Sequence, residues 1–245
     1  MRGQKWISPI VDFNIRRGIC RYRRFIRDWR AYSRMPGAES LQFRDGYPCL
    51  YDHTTTNPFD SHYFYQDLWA YKQIERLRPS QHVDVGSNVV FVGFLTTITQ
   101  VTYVDIRALS VTLDHFESRQ GDVLAMPYDD NSVISLSCLH VAEHIGLGRY
   151  GDPLDPKGTQ KATAELARVL SPGGNLYFSL PIGRPRICFN AHRIHSPQQI
   201  LHYFRDLVWT QFSAIDDDGN FLEEADPADF ERAYYACGLF HFTKK

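Results

Sequence analysis

The chain of 245 residues contains no uncharged apolar run of 18 residues, which excludes a membrane-spanning helix. Near Met1 there is no compact apolar core followed by a small-residue cleavage site, so no secretory leader is expected. Five cysteines, Cys20, Cys49, Cys138, Cys188 and Cys237, stand without paired spacing, which argues against a disulfide framework or a zinc knot. Free thiols in a reducing, cytoplasmic setting are the expectation. No internal repeat and no low-complexity tract is present. Net charge is also small, at −1, but that figure hides an asymmetry: residues 1–36 hold ten Lys or Arg against two Asp or Glu, so this arm is +8 and the remainder −9.

Within the arm, Arg16, Arg17, Arg21, Arg23, Arg24, Arg27, Arg30 and Arg34 are interleaved with Ile15, Ile19, Tyr22, Phe25, Ile26 and Trp29. The pattern predicts a basic amphipathic helical extension over residues 1–36. Such a helix allows peripheral contact with an anionic membrane, where each basic residue contributes on the order of 1 kcal/mol. Charge also permits an acidic glycan, while nucleic acid is not the expected partner. The simpler account lays the aromatic face on the rest of the protein and leaves the arginines in water. Residues 37–79 then read as a connecting and covering segment. Turn residues dominate Pro36 to Pro58, and Phe59 to Leu77 reads as a helix stopped by Pro79.

With 43% hydrophobic residues, the remaining stretch, 80–245, can bury the core of one α/β domain. His82-Val83-Asp84-Val85-Gly86-Ser87-Asn88 reads as a buried strand entering a tight turn, and a second strand closes on Asp105 nineteen residues after Gly86. Gly121 to Tyr128 reads as a short third strand, Asn131 to Leu139 as a fourth, Gly158 to Leu170 as a helix, and Asn175 to Pro181 as a fifth strand. Two further strands, Leu207 to Ala214 and Leu239 to Thr243, read as an antiparallel pair, with Asp216-Asp217-Asp218-Gly219-Asn220 as a hairpin turn. Alternating strands and helices of these lengths predict a doubly wound, mostly parallel, seven-stranded sheet.

The order Asp84-Val85-Gly86-Ser87, Asp105, Gly121-Asp122-Val123, Glu143-His144, then Glu165-Leu166-Ala167-Arg168-Val169-Leu170-Ser171-Pro172-Gly173-Gly174 resembles class I S-adenosylmethionine-dependent methyltransferases. The block from Leu139 to Pro156 is similar to a narrower set, the domain of unknown function 268 (DUF268). The resemblance implies a Rossmann-like methyltransferase fold with S-adenosylmethionine as cofactor. It places Asp84, Gly86, Ser87 and Asn88 around the methionine end and Asp105, with Ile106 beside it, on the ribose. Asp122 and Val123 then flank the adenine, and His140 completes the cofactor set. The family's glycine loop keeps only its first glycine here, with Ser87, Asn88 and Val90 where more permissive residues are usual. A degenerate scaffold without catalysis, or a nucleotide-sugar binding module, therefore stays open beside the enzyme.

Ligands of open parallel sheets bind beyond the carboxyl ends of the strands, where His140, Glu143 and His144 fall. His144 is the candidate general base and Glu143 its orienting partner, against a plain reading in which both are packing residues. His140 to His144 also spells His-x-x-Glu-His, the inverted zinc-peptidase signature. That motif needs both histidines on one helix, whereas His140 closes a strand and Gly146 and Gly148 follow at once, so no metal is expected from it. Arg186, Asn190, His192, Arg193 and His195 form a polar loop suited to a hydroxyl-rich or acidic acceptor. Ser196-Pro197 makes a capped helix start an equally natural account of that loop. The function expected is methyl transfer to an oxygen of a small molecule or glycan. Sequence leaves the oligomeric state open.

Overall fold

Strand β1 (Gln81–Val85) lies inside an eight-stranded sheet and is buried at every position but its first. The computed structural model describes residues 15–245, with side chains from Ile19 onward. By compactness these residues divide after Phe59. In the first unit, helix α1 (Ile15–Tyr32) carries the arginine-rich sequence, and Trp29 contacts Phe25 and Phe43 at 5.8 and 6.3 Å between ring centroids. The part of the predicted extension before Ile15 lies outside the described residues. No described helix is long and apolar enough to cross a membrane.

The second unit follows in chain order: α2 (Ser61–Leu77), β1, α3 (Val89–Leu95), β2 (Gln100–Asp105), β3 (Phe116–Gln120), β4 (Val133–Leu139), α4 (Gly158–Val169) and β5 (Leu170–Ile182). A hairpin of β6 (Arg186–Cys188) and β7 (His192–Ile194) comes next, then α5 (Pro197–Tyr203), β8 (Val208–Ile215), β9 (Phe221–Leu222) and β10 (Ala236–Thr243). The large sheet has the order β3-β2-β1-β4-β5-β10-β8-β9. Strands β1 to β5 pair in parallel, and β10 runs antiparallel between β5 and β8. The chain winds outward from β1 through β2 to β3, then returns to the other side of β1 as β4. That reversal opens a crevice at the carboxyl ends of β1 and β4.

Alternation along the strands sorts the core onto two faces. On β10, Ala236, Phe240 and Phe242 join the cluster containing Leu166 of α4, Ile200 of α5 and Phe204 just beyond it. Cys237 and Leu239 join the opposite cluster, with Trp69 and Ile74 of α2 and Phe91 and Leu95 of α3. Caps fix the helix starts: the Asp60 side chain accepts from Tyr63 N, and Ser196 and Gln199 form a capping box before α5.

The doubly wound α/β expectation holds, with three local corrections. The third strand is Phe116–Gln120 and not 121–128. Its polar sequence suits an edge strand, while Asp122 draws the following segment into a turn by accepting Leu124 N at 2.9 Å through its carboxylate. The sheet has eight strands because the acidic turn at 216–220 leads from β8 into the two-residue β9, while β8 pairs antiparallel with the last strand as expected. Strand β5 also begins at Leu170, directly after the helix, where it pairs with Val133 of β4.

The first turn of α4 rests against the loop after β4. A Cβ on Gly158 would stand 2.0 Å from the Ile145 carbonyl oxygen, a backbone atom with nowhere to retreat. Gly158→Ala is expected to destabilise the fold by about 1–3 kcal/mol, the usual range for overpacking. A urea midpoint equal to that of the unchanged protein would contradict this reading.

Candidate functional site

The turn after β1 is held by a buried polar chain. Asp84 accepts Ser87 N at 3.0 Å and the Ser137 hydroxyl of β4, and Ser87 Oγ accepts Leu139 N at 3.1 Å. His82 joins this chain, with Nδ1 2.8 Å from Ser135 Oγ and Nε2 2.8 Å from Ser137 Oγ. Ser137 spends its proton on Asp84, so His82 Nε2 carries a hydrogen and Nδ1 accepts from Ser135. Burial holds His82 neutral, at about 3, and raises Asp84 to about 6 against the opposing hydrogen bonds of Ser137 and Ser87. Asn88 caps α3 by accepting Val90 N at 2.8 Å. Asp84, Ser87 and Asn88 thus shape the turn from behind and are not among the residues lining the cavity below.

That cavity, about 380 Å³, opens at the carboxyl ends of the first four strands. Its size falls in the range of roughly 300–1,000 Å³ typical of small-molecule sites. Of the cofactor residues expected from sequence, Gly86, Asp105, Ile106, Asp122, Val123 and His140 line it. Gly86 has φ +65°, and a Cβ there would lie 3.3 Å from Val141 Cγ2 and 3.5 Å from Asp105 Oδ2. The one retained glycine is the one that approaches the acid. Gly86 N is committed to Val104 O at 3.0 Å, so this residue offers close approach and not a free donor. Asp105 is held by Arg107 N at 2.7 Å and by the Tyr103 hydroxyl at 3.2 Å. Each carboxylate oxygen has a second lone pair left for a ligand hydroxyl.

Opposite this wall stand His140, Glu143 and His144. His140 leaves β4 in the left-handed region, φ +55°, a rare state for a side-chain-bearing residue. Residues 142–144 make a single 3-10 turn. The two histidines therefore do not share a long helix, and the peptidase geometry does not form. Glu143 Oε1 lies 3.8 Å from His140 Nδ1 and 3.6 Å from His144 Nε2. Burial raises Glu143 to about 8 and holds His140 at about 3 and His144 at about 4, so near neutral pH both rings are uncharged. His144 Nδ1 is 2.6 Å from Ala191 O, which assigns its proton there and leaves Nε2 as an acceptor.

The acceptor-loop residues divide. Arg193 is buried and donates to the carbonyls of Ile145 and Asp155, fastening the loop after β4 to β7. His195 is also buried, with Nε2 3.3 Å from Thr159 Oγ1. Arg186 donates to Arg184 O and Tyr234 O. Asn190 is exposed in the hairpin turn, and the half-exposed His192 ring meets Tyr235 at 5.2 Å. None of these five lines the cavity. Residues given no role from sequence do: Arg107, Tyr150 and Asp152. Arg107 lies over the Tyr150 ring at 4.7 Å, and Asp152 gathers the amides of Gly146, Gly148 and Tyr150. Their signal was the spacing Gly146, Gly148, Gly151-Asp152-Pro153, which marks a shaped loop.

A family model described as "Caenorhabditis protein of unknown function, DUF268" matches residues 105–222, which span β2 to β9 and the cavity loop. That match covers just under half of the chain. No curated protein matches the chain. Among solved structures, the (4+2)-cyclase SpnF is similar at TM-score 0.54 and 14% identity, over 74% of this chain and 81% of that one. YcgJ from Bacillus subtilis is similar at TM-score 0.53 and 15% identity, over 74% and 99%. The N-methyltransferase NodS of Bradyrhizobium japonicum, in complex with S-adenosyl-L-homocysteine, is similar at TM-score 0.50 and 13% identity, over 76% and 99%. Identities of this size establish a shared fold for the DUF268 segment and the strands around it.

Glu143 gives a pH signature. Its carboxyl ionises near 4.5 when unfolded but near 8 when folded, so across that interval the folded state holds the extra proton and stability falls as pH rises. His140 and His144 act in the opposite sense: they are depressed from 6.5, so stability falls as pH drops from 6.5 toward 4. Glu143→Gln is expected to flatten the loss between about pH 5 and 8 and to leave the acid limb in place. Urea midpoints across this range check it, since Asp67 and Asp84, raised to about 7 and 6, are common to both proteins. Parallel curves would contradict the assignment.

Proposed function

We propose that the cavity binds S-adenosylmethionine and that the chain transfers the methyl group to an oxygen of a small-molecule or glycan acceptor. The observation that carries this reading is the meeting of Gly86 and Asp105 on one wall. A glycine at positive φ admits the ligand's backbone-facing edge, and a carboxylate already oriented by Tyr103 and Arg107 is suited to the paired hydroxyls of a ribose. Val123 and Leu124 supply apolar lining for a flat base, while Asp122 is committed to the Leu124 amide. The NodS complex shows that a chain of this fold accommodates S-adenosyl-L-homocysteine, and SpnF shows that the same fold hosts other reactions.

When bound, the cofactor supplies a sulfonium methyl group with a leaving group already activated. The protein's part is then alignment and proton removal, and alignment alone is worth roughly 7–11 kcal/mol for well-oriented reactants. His144 lines the cavity as a neutral imidazole and takes the acceptor's proton at Nε2. Glu143 Oε1, 3.6 Å from the same nitrogen, turns a carboxyl oxygen toward the proton gained. His144 is held in its tautomer by Ala191 O, so the hairpin of β6 and β7 positions the base.

Calorimetric titration of the full chain with S-adenosylhomocysteine is expected to saturate at one site. Asp105→Ala should weaken it about 10- to 100-fold, as for loss of hydrogen bonds to a charged group. Gly86→Val should abolish it, because its methyls would fill the gap toward Asp105. Absence of saturable binding, or an Asp105→Ala affinity equal to the original, would overturn the reading. Incubation of cell extract with labelled methyl donor, followed by mass spectrometry, identifies the acceptor.

A further inference from the structure

We propose that His62, His140 and Cys237 form a binding site for one divalent cation of the zinc class at the edge of the cavity. The three residues come from α2, the end of β4 and the start of β10, and no sequence spacing connects them. Each offers one ligand atom, and these atoms lie within 4.8 Å of one another. Zinc held tetrahedrally by nitrogen and sulfur sets its ligand atoms about 3.3–3.7 Å apart, so side-chain rotation of about 1 Å closes the set.

Buried polar atoms without partners point to the same place. Both ring nitrogens of His140 are buried with no hydrogen-bond partner, although the residue is only 8% exposed. Buried nitrogens in this state call for an unseen ion or water. Glu143 adds a third such atom, its Oε2, while its Oε1 stands 3.8 Å from His140 Nδ1. That carboxylate is placed to balance a cation's charge. Cys237 Sγ has only a 4.0 Å contact to Gly238 O, a weak thiol hydrogen bond. His62 is oriented from behind by stacking on Tyr235 at 5.1 Å, an outer support for a metal-bound imidazole.

Two imidazoles and one thiol make a borderline-soft set, which selects zinc or cobalt over magnesium or calcium. Three protein ligands leave a fourth position for water or a substrate oxygen, the arrangement of reactive zinc sites rather than closed structural ones. His140 lines the cavity, so that position opens toward it. The site does not depend on the methyl donor: a cation binds here whether or not S-adenosylmethionine does.

The test uses the full chain with Cys20, Cys49 and Cys188 replaced by serine, which leaves as thiols Cys237 and Cys138, the latter packed in the other core cluster. After removal of metal by chelation, Co²⁺ is expected to bind at one equivalent with tetrahedral ligand-field bands and a thiolate-to-cobalt charge-transfer band. Zn²⁺ should displace it and raise the thermal midpoint. Cys237→Ser should remove the charge-transfer band, and His62→Ala, at the start of a surface helix, should weaken zinc at least tenfold with the fold intact. Failure of the parent protein to bind cobalt stoichiometrically overturns the proposal. A charge-transfer band that survives Cys237→Ser overturns it equally.

Discussion

The carboxylate of Asp84 joins the two strand ends from which the cavity is built. It lies wholly inside the sheet and draws on the Ser87 amide from its own turn and the Ser137 hydroxyl from β4. Ser87 completes the tie by accepting Leu139 N. Hydrogen bonds to a charged group each contribute about 1.5–3 kcal/mol, and removing one partner from such a buried network costs more than the bond itself. Gly86 on one side and His140 on the other take their places from this tie. An acid conventionally read as a ligand contact therefore acts here as the fastening of the turn.

Desolvation sets the chemistry on the far side of the crevice. Glu143, His140 and His144 are buried together, and desolvation outweighs the Arg149 guanidinium 3.2 Å from His144 Nδ1, so the carboxyl keeps its proton and the rings stay neutral. A neutral ring accepts a proton from a substrate, and a neighbouring carboxyl oxygen turned toward it limits the cost of the charge formed. A cation bound beside Cys237 and His62 would add positive charge next to the same buried carboxyl.

Most of the sheet was legible because buried strands are apolar runs bounded by turn residues: β1, β2, β4 and β5 sit where Val, Leu and Tyr cluster. The helix α4 was legible from Ala162, Leu166 and Val169 on one face and the glycines beyond it. Strand β3 was not, because an edge strand with Glu117 and Arg119 exposes polar side chains and carries no apolar signature. In the site, Gly86 and Asp105 were readable as strand-end residues at the right separation. The cavity loop was visible as glycines but not as a wall, since Asp152 and Tyr150 acquire their places only through hydrogen bonds and stacking. Arg193 misled for a related reason: nothing in sequence distinguishes an arginine that binds a ligand from one buried against two carbonyls. The grouping of His62, His140 and Cys237 spans three distant segments and exists only in the fold.

The central claim is that Asp105 and the bend at Gly86 face one adenosine-shaped space. A crystal structure of the full chain with S-adenosylhomocysteine tests it most directly. The account predicts both ribose hydroxyls within about 3 Å of the Asp105 carboxylate, with the adenine between Val123 and Ile106. Ligand density elsewhere, or a ribose turned away from Asp105, would contradict it.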